Sequence, residues 1–249
     1  MTLVVTDAVV LHSFDYLESS RILRLITRDA GVQSVLARGA RSSRKRFGTS
    51  LDVFAQGTAE YSTRPGRDLN TLTAFDVTRA RPELAGDISR FTGACVLAEL
   101  ALRFSSDEPH PGLFDAFVGG LDTIGAAEPE ETVSRTLGAA WHIVGELGFA
   151  PALDVCANCH TPLPGDARTP FSHIAGGALC ERCARMVSGA RRVPPEARAA
   201  LSAWLGGATA QISCSAEASA HQRLLRAFLD QHLTEGKKLV AYAMWESKW

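Results

Sequence analysis

The sequence predicts an α+β protein. A small β-barrel of the OB type spans residues 1–80, and an α-helical domain follows over 81–249, interrupted at about 154–190 by an inserted four-cysteine element. Three observations carry this reading. Five short, apolar and often β-branched runs joined by turns fill the first 80 residues. From Pro82 onward the apolar period changes from two to that of a helix. Finally, Cys156-Ala-Asn-Cys159 and Cys180-Glu-Arg-Cys183 form two CxxC knuckles with twenty residues between them.

The strand runs are Leu3 to His12, Arg21 to Arg28, Gly31 to Ala37, a fourth from Leu51 to Ser62 and a fifth from Leu69 to Val77. The fourth is clearest: Leu51, Val53, Ala55, Gly57, Ala59 and Tyr61 share one face, with Phe54 as its exception. Five such strands with short connections pack most simply as an OB-type Greek-key barrel, an SH3-like barrel being the alternative. Pro82 then opens a helix running to Phe104, with Leu84, Ile88, Phe91, Cys95, Leu97 and Leu102 as its apolar stripe. Further helices are expected from Gly112 to Ile124, over Val133 to Leu147, from Pro195 to Leu205 and from Ala218 to Leu233. Their stripes must bury against one another, which predicts a small bundle. The tail from Gly236 is aromatic and basic, suited either to closing the bundle or to presenting a surface.

Composition excludes disorder: 46% of the 249 residues are apolar, enough for a full core. The net charge of −1 hides a polarised chain. Residues 1–80 balance at +3, whereas Glu83 to Glu131 holds ten acids against Arg90 and Arg103. The positive field concentrates between Asp29 and Asp52, where Arg38, Arg41, Arg44, Lys45 and Arg46 face no acid. Gly39, Gly48, Ser42 and Ser43 make this stretch a loop, so it reads as a phosphate-gripping loop mounted on the barrel. A solvated hairpin guarding a sheet edge is the plain structural alternative. Arg21 and Arg24, with Arg28, extend the track, and Arg191 and Arg192, with Arg185, make a second basic spot after the knuckles. Tyr16, Phe47 and Tyr61 are candidate stacking platforms for bases. Of these, Tyr61 lies on the apolar face and is expected in the core.

No basic n-region precedes the first apolar run and no apolar stretch approaches 18 residues, which predicts a cytoplasmic protein without a membrane span. Thiols stay reduced there, so Cys156, Cys159, Cys180 and Cys183 are read as ligands of one structural Zn2+. Four thiolates leave no position for a catalytic water. Cys95 is expected in the core, and His160 and His173 at the surface. There is no Gly-x-x-x-x-Gly-Lys-[Ser/Thr] loop, Gly-x-Ser-x-Gly elbow or His-Glu-x-x-His site, and the chain is not expected to be an enzyme.

The residues AVVL (Ala8 to Leu11), Tyr16 with Glu18-Ser19, LITRDAG (Leu25 to Gly31), ARGAR (Ala37 to Arg41) and RFGTSLDVF (Arg46 to Phe54) resemble the amino-terminal pattern of the bacterial RecO family. The knuckle pair, followed by RLLRAFLDQHL (Arg223 to Leu233), is similar to that family's second half. After Gly236 the chain reads KKLVAYAMW, a departure from the family's Leu-Lys-Ser-Arg type of element. The resemblance implies binding of single- and double-stranded DNA and annealing of strands coated by single-strand-binding protein (SSB). It also implies help with RecA loading together with RecR, in a cytoplasmic, nucleoid-associated setting. An adaptor stabilised by zinc and lacking annealing activity is the competing reading. In that reading a helix groove receives the acidic SSB tail, with Arg135, Trp141, Arg223 and Arg226 as conceivable contributors.

Overall fold

The computed structural model describes residues 2–40, 47, 51–212, 214–234 and 236–247. By contact the chain divides into two compact units, Met1–Ala126 and Ala127–Trp249. The first holds the barrel and the first two long helices, so this division falls some 45 residues beyond the change of secondary structure at Pro82.

In the first unit, β1 (Thr2–Tyr16), β2 (Ser20–Thr27), β3 (Gly31–Ala37), β4 (Gln56–Thr63) and β5 (Leu69–Arg79) close a barrel in the order β1-β2-β3-β5-β4. β3 runs parallel to β5, and β4 returns antiparallel to β1. That is the OB-type order, and it decides against the SH3-like alternative. The inward residues include Ala8, Val10, Leu23, Leu25, Val35, Ala37, Ala59 and Tyr61, all fully buried. Side chains alternate along a strand, so Ile22, Arg24, Ser34 and Leu36 point outward. Gly31, at φ 61°, makes the β2–β3 turn where the chain segment Ser106–Glu108 crosses it. A Cβ there would collide with the carbonyl oxygens of Ser106 and Glu108.

The fourth strand is shorter than its sequence pattern predicts. Phe54 sits at φ 71° in a turn before it, donating its N–H to the Val10 carbonyl at 2.8 Å. This explains why Phe54 breaks the period of two: it belongs to a turn sealing the end of the barrel, and its side chain is 2% exposed. The expected helix from Pro82 to Phe104 is two helices, α1 (Pro82–Ala85) and α2 (Ile88–Phe104). Gly86 ends the first, and Asp87 caps the second by accepting from the N–H groups of Ser89 and Arg90 at 2.9 Å. The break also takes Ile88 and Phe91 off the expected buried stripe, leaving them partly exposed. α3 (Pro111–Gly125) packs against α2 and completes the unit.

The second unit is built on α4 (Thr132–Glu146), α6 (Pro195–Leu205) and α7 (Ser215–His232), with Trp141, Trp204, Leu225 and Phe228 in its core. Between α4 and α6 lie a small sheet, β6 (Thr169–Ser172), β7 (Gly177–Ala178) and β8 (Arg191–Val193), and the one-turn helix α5 (Glu181–Ala184). The carboxy-terminal α8 (Val240–Glu246) buries Tyr242 and Trp245, and the Tyr242 hydroxyl donates to the Gln222 carbonyl at 2.7 Å. The tail closes this unit. Among the described residues, no helix is long and apolar enough to cross a membrane.

Candidate nucleic-acid interface and metal centre

The first candidate site is the outer face of the β1–β2 hairpin. β1 continues four residues past the predicted end at His12, because Ser13, Phe14, Asp15 and Tyr16 keep the alternation and find partners on β2. Directly opposed residues share a face, so the register His12↔Arg24, Phe14↔Ile22 and Tyr16↔Ser20 lines three rings along one side. His12 and Phe14 have ring centroids 5.6 Å apart, and Phe14 and Tyr16 are 43% and 41% exposed. On the neighbouring strands the same side carries Arg24 and Leu36, and the exposed Arg38 follows just past the end of β3. The result is a row of half-exposed rings beside two guanidinium groups on a rigid sheet, a surface chemically suited to stacking bases and holding phosphates.

Arg24 is half-buried and donates to the Ser34 hydroxyl at 2.9 Å, leaving its cationic charge without a carboxylate in that bond. Arg21 projects on the opposite side and pairs with Asp15 at 3.3 Å. Arg28 is held by Asp115 through bonds of 2.5 and 2.9 Å, which raise its pKa further. Arg21 and Arg28 therefore do not continue a track begun by Arg24. Arg41, Arg44, Lys45 and Arg46 lie outside the described residues. Phe47 is 2% exposed within the barrel core, so it is not a stacking platform, and Tyr61 is fully buried as expected. Sequence reasoning stopped β1 at His12 and so missed Phe14, although the spacing of His12, Phe14 and Tyr16 at every second residue was its signal.

The second site is the cysteine cluster. Cys156, Cys159, Cys180 and Cys183 bring their Sγ atoms within 4.8 Å of one another, with Cys159 and Cys180 at 3.7 Å. A tetrahedral zinc with Zn–S bonds of about 2.3 Å requires sulfur pairs roughly 3.8 Å apart, whereas a disulfide requires about 2 Å. The donor set fits the metal and not the bridge. His160, at φ 60°, forms the turn of the first knuckle and donates its N–H to the Cys156 carbonyl. In the second knuckle, the Cys183 N–H donates to the Cys180 sulfur at 3.5 Å. Hydrogen bonds from Thr161 bring the Cys159 thiol down to about 5. The neighbouring cysteines, Cys180 first, push Cys183 up to about 12. Four sulfurs this close cannot all ionise without a cation, so the cluster is suited to holding one.

The remaining predicted positions sort clearly. Arg192 pairs with Glu181 of the second knuckle at 2.9 Å, while Arg191 and Arg185 are exposed. Trp141 is fully buried, and Arg135 and Arg226 pair with Glu131 and Glu246, so these three do not line a common groove; Arg223 is exposed. His173 is half-buried, packed edge-on to Phe171 and Phe228, and is not a surface residue. Burial raises the Cys95 thiol to about 11, as expected of a core position.

Comparison with known proteins agrees across both units. Residues 1–81 match the family profile described as Recombination protein O N terminal, and residues 85–239 match Recombination protein O C terminal. A protein named DNA repair protein RecO from Anaeromyxobacter dehalogenans strain 2CP-C is 40% identical over 243 residues, 94% of this chain and 92% of its own length. Proteins of the same name from Anaeromyxobacter sp. strain Fw109-5 and Nocardioides sp. strain JS614 are 37% and 32% identical, over 93% and 95% of this chain and 91% and 97% of their own lengths.

Proposed function

The chain belongs to the RecO family of DNA repair proteins, and on that premise we propose that it works as a strand-pairing mediator. It binds single- and double-stranded DNA, anneals complementary strands coated by SSB, and promotes RecA loading together with RecR. It catalyses no covalent step and acts in the cytoplasm, at the nucleoid. The carrying observation is the His12, Phe14 and Tyr16 row beside Arg24 and Arg38. Annealing requires two polyanions to approach with their bases accessible, so a protein that serves it must neutralise phosphates without reading sequence. Rings that accept any base and guanidiniums that accept any phosphate meet that requirement. The loop residues Arg41, Arg44, Lys45 and Arg46 add charge at the same end of β3 in sequence. Zn2+ at the four cysteines supplies folding energy to the element around them, without a step of its own in the reaction.

The test is a salt titration of oligothymidylate binding. Replacing Arg38, Arg41 and Arg44 by Ala removes three phosphate contacts and flattens the slope of log affinity against log salt by about 2, at roughly 0.7 per contact on single strands. Phe14→Ala with Tyr16→Ala leaves the slope in place and weakens binding at every salt concentration, by about 1 to 3 kcal/mol per lost stack. A slope and an affinity that ignore both sets would remove the barrel face from the mechanism.

A further inference from the structure

The β1–β2 hairpin ends in an apolar tip for which the stacking row gives no reason. Among the described residues β4 pairs with β1 only as far as Val9, so from His12 to Tyr16 the β1 ladder runs with β2 alone, at the margin of the barrel. The turn that follows is Leu17-Glu18-Ser19, and Leu17 stands in it at φ 55° with 76% of its surface exposed. That backbone region is left-handed, where a Cβ crowds the carbonyl oxygen and a Gly or Asn sits at less cost. The turn needs only the backbone shape, so what a leucine adds is an aliphatic group held out in water. Phe14 and Tyr16 stand beside it, and three of the four residues from Phe14 to Leu17 present large exposed apolar side chains. Charge surrounds this apex unevenly. Asp15 and Arg21 pair with each other at 3.3 Å, Glu18 is exposed in the turn, and the exposed Arg38 follows Ala37, the register partner of Arg21.

We propose that this tip engages the end of a DNA duplex. Leu17, with Tyr16 beside it, presses on the last base pair where double strand gives way to single strand, and the departing strand runs along Phe14 and His12 toward Arg24. The inference rests on the DNA-binding function proposed above. It narrows the substrate of the barrel face from any single strand to the junction at which annealing advances.

The charges and the side-chain types select a duplex end among the surfaces that DNA offers. Glu18 in the turn repels phosphates, so the apex does not lie along a backbone. The exposed face of a terminal base pair is uncharged and apolar, and its phosphates lie at the periphery. Arg38 suits those phosphates, since β3 stands two strand spacings from β1, roughly 10 Å. Apolar side chains, leucine among them, are what proteins insert at base steps, where they make contact without any hydrogen-bond code. A bare single strand presents no base-pair face, and its bases are met by flat rings, which is work for Phe14 and Tyr16 and not for a leucine.

The experiment uses the full chain and three DNAs at one salt concentration: a hairpin carrying a dodecathymidylate tail, the tail alone, and a dumbbell of the same duplex closed at both ends. Binding is read by fluorescence anisotropy, and opening of the last base pair by a 2-aminopurine placed in it. The tailed hairpin is expected to bind roughly tenfold tighter than the tail or the dumbbell, within what one contact to a base face is worth. The 2-aminopurine emission rises on binding at the last pair and stays level at an interior pair. Leu17→Asn keeps the left-handed turn and removes the aliphatic tip, so the tenfold preference and the emission rise are lost. Leu17→Met retains both, and Leu3→Asn, at an exposed apolar position on the far end of β1, leaves them unchanged. Should Leu17→Asn not fold, Leu17→Gly makes the same comparison. A preference indifferent to the loss of Leu17, as a tip built for a protein cleft would give, overturns the proposal. Equal binding of the dumbbell also overturns it, because the hairpin would then be lying in a groove of the duplex. Failure of the barrel reading shows instead in the tail alone, as an affinity that ignores Phe14→Ala/Tyr16→Ala.

Discussion

Arg81 is the residue whose replacement the structure prices most sharply. Its side chain is fully buried and makes four hydrogen bonds. Nε and Nη2 reach Asp122 Oδ1 at 2.9 and 2.8 Å, Nη1 reaches the Phe54 carbonyl at 3.1 Å, and Nη2 reaches Gln56 Oε1 at 2.7 Å. It thereby ties the end of the barrel to α3 and to the turn at Phe54, which follows the basic segment. Asp122 is one-third exposed and keeps a second partner, Arg79, at 2.7 Å. The two halves of this pair are therefore unequal. Asp122→Ala strands a buried guanidinium, a change that costs about 3–5 kcal/mol. Arg81→Met leaves a solvated carboxylate that still meets Arg79, together with one carbonyl and one amide short of a donor, for about 1–3 kcal/mol. Asp122→Ala is the more damaging by about 2 kcal/mol, or roughly 30-fold in the population of opened molecules.

The assay must see the barrel. Among the described residues the tryptophans Trp141, Trp204 and Trp245 all belong to the second unit, so their emission does not report on it. Amide hydrogen exchange over Ser20–Ala37, read by mass spectrometry, does. The expected order of exchange is wild type, then Arg81→Met, then Asp122→Ala as the fastest. Equal rates, or Arg81→Met faster than Asp122→Ala, would refute the claim that the buried cation rather than the carboxylate sets the cost.

Two further outcomes follow from the second unit. Chelation, or Cys180→Ser, should remove one zinc per chain by elemental analysis and open residues 154–190 to protease while exchange over Ser20–Ala37 stays unchanged, since the buried core of the element is little more than Cys156, Leu179 and Cys183. The second concerns acid. Burial holds His173 and His221 below the ordinary value of 6.5, so the unfolded chain binds protons that the folded one refuses. Stability of the second unit should be full above about pH 6.5 and fall as the pH drops from there through the folded-state values. Guanidinium midpoints read by tryptophan emission at pH 7.5 and 5.5 check this, and His221→Phe should shrink the difference.

What could be read from the sequence was what neighbouring residues decide. The period of two in Ala59 to Ser62, the CxxC spacing and the proline opening Pro195–Leu205 are local signals, and each element stands where it was expected. The failures are of another kind. Phe47 sits in loop-like sequence yet fills the barrel, because closing a barrel end takes side chains from the connections, and Phe54, read as part of the fourth strand, is buried in a turn with its ring against Phe91 of α2. Arg81 and Asp122 are 41 residues apart, and nothing local distinguishes them from other charges. A groove by α7 assembles Arg168, Arg191 and Arg223 from three elements, so the pattern of each says nothing of the others. The break at Gly86-Asp87 was visible as a glycine before a capping residue, and the apolar period on either side concealed it.

The same distinction explains how a chain of net charge −1 can keep Arg24 and Arg38 out of ion pairs with the acids of its helices. In sequence, the ten acids between Glu83 and Glu131 oppose the basic amino-terminal part. In the first unit two of them are instead its internal counter-charges: Asp115 takes Arg28, and Asp122 takes Arg79 and Arg81. These pairs fasten α3 to the barrel and cancel locally, so they add little to the field a few ångströms beyond the surface. Arg24 stands on the outer face of β2, beside the aromatic row and away from those two carboxylates in sequence and register, although Asp68 and Asp107 line the same recess, and Arg38 follows just past β3. The charge that a phosphate would meet there is the residue left after pairing, and overall composition is a poor guide to it. Converting Asp115 or Asp122 to a neutral residue would therefore loosen the barrel's attachment to α3 far more than it would strengthen DNA binding, although by net charge alone it should do the reverse.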